Sequence, residues 1–372
     1  QVYRFSKGDT DLALRFDLTI PLARYAAEHF NELAFPFRRY QIQEVWRAEK
    51  AQAGRYRQFY QCDIDILGSK SSMADVDIIL AARAALLALG LKGVTFSLSH
   101  RGILSGWLAS RKLENKITPV LRAIDKLRKF GEKTVADELK ASGLKQEEIK
   151  DIIKFVNLKG SPRDVIKAMR LLDIKDDRFI KALDELEKIS ELFKASGVKS
   201  NEYVFDLRIS RGLDYYTGMV FETYLASDTK IGSICSGGRY DNLLGQYRRD
   251  PIPGVGASIG LSRLFSAIKD DLKNGPSNPA QVLIVALGED VADYSLEVAN
   301  SLRKHNLNIL VYPGFEKIGK ALGYADKLGI PLAILCGGNE ADKNVVTIKN
   351  LKSGKQTTIA LAKAAAAIRK LL

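Results

Sequence analysis

The middle third of the chain carries the clearest pattern, a helical spacing of apolar residues. Its longest run comprises Ile180, Leu183, Leu186, Ile189 and Leu192. This spacing is the repeat of one buried face of an α-helix. An earlier amphipathic run is predicted to stop at Gly131, and Ser161 followed by Pro162 is typical of a helix start. The pattern therefore predicts an all-helical block over residues 113–200.

Three short apolar runs near the C-terminus are typical of buried strands. They span residues 282–287, 308–312 and 331–335. Helical patterns over 291–304 and 317–327 separate them, and this alternation predicts a mainly parallel sheet. Residues 345–348 and 357–359 have the pattern of a β-hairpin. We therefore predict a small α/β domain over residues 280–372, introduced by a linker rich in glycine and proline.

The two segments that flank the helical block mix strand and helix patterns. The residues before Arg47 and those after Arg57 follow the period of two that is typical of strands. This pattern predicts two antiparallel strands joined by a short basic loop. The alternating positions are Tyr40, Ile42, Glu44 and Trp46, then Asp63, Asp65 and Leu67. We interpret residues 1–112 and 201–275 as two parts of one domain that the helical block interrupts.

Composition excludes several classes of protein. A chain of 372 residues with 46% hydrophobic and 27% charged residues is typical of a globular protein of two or three domains. It has no run of 18 apolar residues, so no membrane-spanning helix is expected. The three cysteines show neither metal-ligand spacing nor a disulfide framework, which favours a reduced, cytoplasmic compartment.

The net charge of +13 points to a polyanionic partner, because clustered Lys and Arg side chains bind phosphates. Charge alone does not separate RNA, DNA and an anionic membrane. No basic segment carries the Trp/Phe face of a membrane-surface helix, so nucleic acid is favoured. The C-terminal domain lacks a glycine-rich turn after its first strand, so we expect it to bind something other than NAD or ATP.

The basic hairpin carries the first candidate chemistry. Arg47 stands at a predicted strand end, where its guanidinium can bind a phosphate through two hydrogen bonds. Glu49, two residues further on, points to the same side and can accept from an amino group on a base. Phe59 can stack on a purine ring. The alternative interpretation is that these residues belong to a solvated surface hairpin without a ligand. Their joint spacing favours a ligand-binding site.

Three further segments stand out, at residues 210–218, 235–243 and 254–264. The last one is rich in glycine and other small residues, which let a strand and a helix approach each other closely around a ligand. Arg263 lies just inside the predicted helix of that segment. Glycine-rich stretches alone are weak evidence, because most of them are turns.

These segments, taken in order, resemble the histidyl-tRNA synthetases. The hairpin resembles motif 2 of the class II aminoacyl-tRNA synthetases, and residues 254–264 resemble motif 3. The sequence Arg-Gly-Leu-Asp-Tyr-Tyr-Thr-Gly at 211–218 resembles the signature of the histidine enzymes, and residues 14–21 resemble their amino-acid-binding loop. The resemblance implies an α+β fold, in which an antiparallel-sheet catalytic domain with a helical insertion precedes a small α/β anticodon-binding domain.

The resemblance also implies a histidine–tRNA ligase, which activates L-histidine with ATP and transfers it to the 3′ end of tRNA(His). ATP would enter with Mg2+ bridging its outer phosphates, and no protein metal ligand is predicted. The implied catalytic arginines are Arg47, Arg211 and Arg263. The implied contacts to ATP are Arg47, Glu49, Arg55, Phe59 and Arg263.

Contacts to histidine follow from the same resemblance. The α-amino end would be bound by Asp17, Thr19 and Gln61. Arg211 would contact both the substrate carboxylate and the α-phosphate, where a fixed cation stabilises the transition state.

Recognition of the imidazole ring is implied for Asp65 and Tyr216, because a carboxylate can accept a hydrogen bond from a ring nitrogen. Tyr215 would also contact histidine, and packing within the core is its open alternative.

The implied partners are L-histidine, ATP and tRNA(His), with no membrane. A homodimer is expected, formed through the catalytic domain and through the family's motif 1, a helix and strand expected before residue 1. Two alternatives remain, a catalytically inactive synthetase-like regulatory protein and a plain RNA-binding module. Histidine-dependent exchange of pyrophosphate into ATP separates the enzyme from both.

Overall fold

The computed structural model describes residues 2–52, 54–209, 215–226, 231–247, 249, 251–269 and 278–372. The chain divides into two compact units, Gln1–Asp270 and Asp271–Leu372. Among the described residues, none of the helices combines the length and the apolar character needed to cross a membrane.

The first unit contains nine strands and nine α-helices among its described residues. The strands are β1 (Arg4–Lys7), β2 (Thr10–Ala13), β3 (Phe37–Trp46), β4 (Gln58–Leu67), β5 (Val94–His100), β6 (Tyr203–Phe205), β7 (Met219–Leu225), β8 (Cys235–Arg239) and β9 (Gly254–Gly260). The helices are α1 (Thr19–Glu28), α2 (Ser72–Ala88), α3 (Arg101–Ala109), α4 (Ile117–Ile124), α5 (Leu127–Ala141), α6 (Gln146–Val156), α7 (Pro162–Arg170), α8 (Asp177–Ala195) and α9 (Leu261–Ile268).

A seven-stranded sheet organises this unit in the order β3-β4-β9-β8-β7-β5-β6. Every neighbouring pair is antiparallel except β5 and β6, which run parallel. The two predicted strands around the basic loop are β3 and β4, paired from Phe37 opposite Leu67 to Trp46 opposite Gln58. The predicted antiparallel-sheet α+β fold is confirmed.

The two faces of the sheet differ in chemistry, because successive side chains of a strand point to opposite faces. One face is apolar and belongs to the main core, with Ile66, Phe96, Phe221 and Val255 buried in it. The other face is polar. In register across four central strands, it presents Asp63, Ser258, Ser236 and Glu222.

The helices α4 to α8 occupy the middle of the chain and share the core of the sheet. Trp107 of α3 stacks on Phe155 of α6 with ring centroids 4.6 Å apart. His100, at the end of β5, hydrogen-bonds Glu185 of α8 at 2.9 Å. The helical block therefore packs onto the seven-stranded sheet through α3, and the chain's own apolar spacing supplies that contact face.

Gly131 divides α5 into two helical segments at a kink. Its backbone leaves the helical region at φ 78° and ψ 172°, and a second helical segment follows it up to Ala141. The prediction that the amphipathic run stops at Gly131 is therefore confirmed. The predicted start at Ser161 is confirmed, since Ser161 and Asp164 cap α7 reciprocally around Pro162.

The second unit is a small α/β fold. Its elements are β10 (Val282–Ala286), α10 (Ala292–Arg303), β11 (Ile309–Val311), α11 (Ile318–Lys327), β12 (Leu332–Cys336), α12 (Gly338–Asp342), β13 (Val345–Asn350), β14 (Gln356–Ala360) and α13 (Leu361–Leu371). The strand order is β11-β10-β12-β13-β14, parallel among the first three and antiparallel beyond them. The predicted parallel strands and the predicted hairpin are confirmed, whereas α12 and α13 were not predicted.

Candidate functional site

A cleft of about 1170 Å³ opens over the polar face of the seven-stranded sheet. Among its lining residues are Asp17, Thr19, Arg47, Glu49, Arg55, Gln61, Asp65, Tyr215, Tyr216 and Arg263. These residues come from distant parts of the sequence, and together with Phe59 they are the sequence-predicted site residues that the structure describes. The antiparallel register thus brings the predicted site together on one surface.

Phe59 lines a smaller recess of about 220 Å³, which shares Arg47, Glu49 and Arg263 with the main cleft. Arg211, predicted as a catalytic and histidine-binding residue, lies outside the described residues.

Arg47 is held between two aromatic rings just beyond the end of β3. Its guanidinium carbon lies 4.5 Å from the ring centroid of Phe16 and 5.1 Å from that of Phe59. Its Nε donates to the carbonyl oxygen of Phe16 at 3.1 Å. Stacking and hydrogen bonding together fix the guanidinium plane, which a flexible ammonium group cannot reproduce.

Arg263, in the first turn of α9, ties the tip of the basic loop to the sheet. Its Nε donates to the carbonyl oxygen of Gly54 at 3.0 Å, and its Nη1 donates to that of Ser233 at 2.8 Å. Gly54 has φ +68°, a conformation that side chains disfavour, and an added Cβ would lie 3.2 Å from Ile231. The loop therefore needs glycine to reach the arginine.

Glu49 and Arg55 face each other across the basic loop, with Arg55 Nη1 3.6 Å from Glu49 Oε2. Both side chains are partly exposed, so the pair contributes little to stability. A carboxylate and a guanidinium at this entrance can bind a base amino group and a phosphate, respectively.

Asp65 is buried at the far end of the cleft. Arg39 pairs with it, with 2.9 Å between Nη2 and Oδ2, and the hydroxyl of Tyr240 donates to its Oδ1. Burial raises the pKa of Asp65 to about 6, although Arg39 and Tyr240 oppose that shift. Gly256 lies opposite Asp65 on β9, and a Cβ there would come within 2.0 Å of Oδ1. The carboxylate therefore occupies space that only glycine leaves open.

Asp63 lies two residues before Asp65, on the same face of β4, and is 2% exposed. Burial, reinforced by the charge of Asp65, raises the pKa of Asp63 from 3.8 to about 7. Ser258 and Arg39 oppose that shift, the former by a hydrogen bond and the latter by its charge. Its Oδ1 has no hydrogen-bond partner among the described residues.

Asp63→Asn should raise the melting temperature above pH 7. The folded protein binds the Asp63 proton more tightly than the unfolded chain does, because its pKa is raised from 3.8 to about 7. The burial penalty of the carboxylate therefore appears as pH rises through that window. Melting curves of both proteins between pH 4 and pH 8 should show the advantage of the variant growing with pH. A constant difference, or the same trend in the exposed control Asp77→Asn, would contradict this prediction.

The part of the cleft that the sequence resemblance assigns to the amino acid is formed at the start of α1. Asp17 accepts from the backbone N–H of Ile20 at 3.0 Å, and burial raises the pKa of its carboxyl. Tyr215 hydrogen-bonds to Thr19 and Tyr216, and burial raises its pKa well above the usual value. It lines the cleft and also joins a small apolar cluster, so both sequence interpretations of Tyr215 remain compatible with its position.

Sequence reasoning missed several polar residues of this site, namely Arg39, Asp63, Tyr240 and Ser258. The period-two polar positions of β3, at Arg39, Gln41 and Gln43, were a signal that this strand turns a polar face inward. Tyr240 lies in the segment 235–243, which stood out in the sequence without being assigned a role.

A basic arm of the cleft extends toward the helical block. Lys126, Arg128 and Lys129 line it. Arg128 lies over the ring of Tyr224 at 4.2 Å and pairs with Asp206 at 2.5 Å. This arm offers cations beside an aromatic surface, a combination suited to a single nucleic-acid strand.

Comparison with known proteins gives a consistent result along the chain. The model of the histidyl-tRNA synthetase family matches residues 1–264, and that of the anticodon binding domain matches residues 281–371. The chain is 46% identical to a histidine–tRNA ligase of Clostridium tetani, over 98% of this chain and 84% of that protein. It is 40% identical to the one from Rhodopirellula baltica, over 97% and 82%.

Among solved structures, the chain is similar to the histidyl-tRNA synthetase of a Nostoc species. The TM-score is 0.85 at 35% identity, and the match covers 100% of this chain and 86% of that one. The similarity therefore includes the arrangement of the elements as well as the sequence.

Proposed function

The chain belongs to the histidyl-tRNA synthetase family, and on that premise we propose how its cleft performs the ligase reaction. The enzyme is a histidine–tRNA ligase: it uses ATP to activate histidine and then loads tRNA. The observation that carries the assignment of residues is the convergence of the hairpin, β9 and the start of α1 on one polar cleft. Neither step requires a protein nucleophile, so the cleft acts by positioning substrates and by neutralising phosphate charge.

In the proposed ATP site, Arg47 holds the α-phosphate and Arg263 the γ-phosphate. Glu49 and Phe59 hold the adenine, and Arg55 contacts the outer phosphates. The fixed guanidinium of Arg47 supports this assignment, because a preorganised cation stabilises developing charge without reorganisation. We propose that Mg2+ arrives with ATP. Phosphate oxygens and water would supply most of its ligands, as is usual for Mg2+ that is bound together with a nucleotide.

In the proposed amino-acid site, Asp17, Thr19 and Gln61 bind the α-amino group. Asp65 and Tyr216 bind the imidazole, and Tyr215 completes this wall. Asp65 is suited to the role because Arg39 and Tyr240 fix its carboxylate from behind. Arg211 remains the proposed contact to the substrate carboxylate, as implied by its place in the signature.

Asp65→Asn should lower kcat/KM for histidine by roughly tenfold to a hundredfold, the scale of one hydrogen bond to a charged group. The amide keeps the shape of the side chain and removes the charge that orients the imidazole. Initial rates of adenylate formation, with each substrate varied in turn, would measure the effect. The KM for ATP should change by less than about twofold, and an effect confined to ATP would place Asp65 in a different site.

We further propose that the basic arm, with Lys126, Arg128 and Lys129, takes the 3′ end of the tRNA, and that residues 280–372 bind its anticodon. The net charge of +13 supports a polyanionic partner of this size. The helical block over 113–200 is a proposed insertion domain that helps to hold the tRNA.

We also propose that the enzyme acts in the cytoplasm as a homodimer. The exposed apolar side chains of Tyr40 and Ile42 on the edge strand β3 support a second copy there. Sedimentation of the wild type and of a Tyr40→Glu, Ile42→Glu variant would test the interface, and a monomeric wild type would refute it.

One assay tests the proposed function as a whole. Histidine-dependent exchange of labelled pyrophosphate into ATP is expected from the enzyme and from neither alternative. Its absence in a folded full-length protein would favour an inactive regulatory or RNA-binding role, and exchange with other amino acids would contradict the specificity.

A further inference from the structure

Three polar residues lie together beneath the amino-acid end of the cleft. Asp63 of β4 faces Ser258 of β9 in the sheet register, and Gln61 lies two residues away on the same face of β4. Gln61 and Asp63 are 7% and 2% exposed. Asp63 does not line the cleft, so an effect of this residue on substrate must pass through its neighbours.

The hydrogen bonds among these residues have a fixed direction. Gln61 Nε2 lies 2.5 Å from Ser258 Oγ and donates to it. Ser258 also hydrogen-bonds to the carboxyl of Asp63 and lowers its pKa, so the hydroxyl donates in that direction. A hydroxyl has a single hydrogen. Because Ser258 gives that hydrogen to Asp63, only its lone pairs are left for Gln61, which must therefore present its NH2 group there.

This arrangement determines what Gln61 offers to the cleft. With its nitrogen on Ser258, its Oε1 is buried and has no hydrogen-bond partner among the described residues. A buried acceptor without a donor is unfavourable, and a ligand donor removes that penalty. The α-ammonium group of an amino acid is a cationic donor of the required kind.

We propose that Asp63 is a positioning residue for the amino-acid substrate: by holding the hydroxyl of Ser258, it keeps the amide oxygen of Gln61 available to the α-ammonium group. This inference rests on the proposed function, in which Gln61 binds the α-amino end. It explains why a carboxyl is buried at position 63, and it assigns to Ser258 the role of orienting the amide of Gln61.

Loss of the acceptor at position 63 reverses the direction of the hydrogen bond between Gln61 and Ser258. The hydroxyl of Ser258 is then free to donate to Gln61 Oε1, and the amide rotates by half a turn to accept that hydrogen bond. Gln61 would then present its NH2 group to the ammonium, and two donors would face each other. Binding of the amino acid weakens, whereas the ATP end of the cleft is unchanged.

Two substitutions at one position separate this role from a structural one. Asp63→Leu removes the acceptor, and it should raise the KM for histidine on the order of tenfold. The KM for ATP and kcat should stay within about twofold. Asp63→Asn keeps a carbonyl oxygen for Ser258 and should restore the KM for histidine to within about threefold of the wild type. Both are measured by pyrophosphate exchange on the full chain, with melting curves recorded in parallel.

Ser258→Ala provides an independent check, because it removes the hydroxyl that links Asp63 to Gln61 and leaves Asp63 in place. Adding Asp63→Leu to Ser258→Ala should not raise the KM for histidine further, since both act through one chain of hydrogen bonds. Additive effects would overturn the proposal, as would a Leu variant with an unchanged KM or an Asn variant no better than Leu. Absence of exchange in the wild type would overturn the proposed function itself.

Discussion

Arg47→Ala is expected to slow adenylate formation on the order of a hundredfold or more, the scale for losing one preorganised contact to developing charge. The rings of Phe16 and Phe59 hold the guanidinium of Arg47 in place before ATP arrives. Alanine removes the charge and leaves both rings without their partner. Single-turnover formation of the adenylate, at saturating ATP and histidine, measures the chemical step directly.

A second variant, Arg47→Lys, separates the effect of the positive charge from that of the planar guanidinium. Lysine keeps a positive charge but lacks the planar group that stacks between two rings, so the rate should fall between those of the wild type and the alanine variant. Arg24→Ala serves as a matched control, since Arg24 is exposed on α1 and pairs only with Glu28 in the described structure. Equal rates for Arg47→Ala and Arg24→Ala would remove Arg47 from the ATP site.

Removal of residues 280–372 is expected to leave histidine activation within a few-fold of the wild type and to lower kcat/KM for tRNA by roughly a hundredfold, as when one of two linked contacts is lost. Every proposed active-site residue lies before this segment. Each unit also buries apolar clusters of its own: Phe96 and Leu98 lie in the core of the first, and Ile284 and Val298 in that of the second. The truncated chain therefore retains a complete core.

Both rates must be measured on one folded preparation, with melting checked separately. A tRNA with an altered anticodon supplies the control, because the full chain should discriminate against it and the truncated chain should not. If activation and aminoacylation fell in parallel, residues 280–372 would only stabilise the first unit, and their proposed role in anticodon recognition would be refuted.

Local patterns of the sequence were sufficient to predict a helix or strand wherever that element buries an apolar face of its own. The spacing of Leu183, Leu186 and Ile189 predicted the helix α8, and these residues are buried in the core. The apolar runs of the second unit likewise predicted β10, β11 and β12. Gly131 was a correct signal as well, because its positive φ breaks α5 into two helical segments at a kink.

The sequence left open which face of β3 turns inward. Its alternation suggested a strand, yet Tyr40 and Ile42 are 76% and 55% exposed, whereas the side chain of Arg39 is only 9% exposed. Period-two alternation defines two faces, and only the neighbouring elements decide which of them is covered. Here the polar face of β3 is the covered one at Arg39, whose guanidinium pairs with the buried carboxylate of Asp65 on β4.

The sequence by itself determined the order of the elements, the two folds and the residue types proposed to bind phosphate, base and imidazole, since these follow from local spacing and from recognisable motifs. Only the tertiary structure decided which distant groups meet. Asp65 receives the hydroxyl of Tyr240, 175 positions away, and Gln61 donates to Ser258, 197 positions away. Such contacts depend on strand order and register, which bring β4 beside β9. The pKa of Asp63 depends on them too, because burial is a property of the packed sheet and not of the residue.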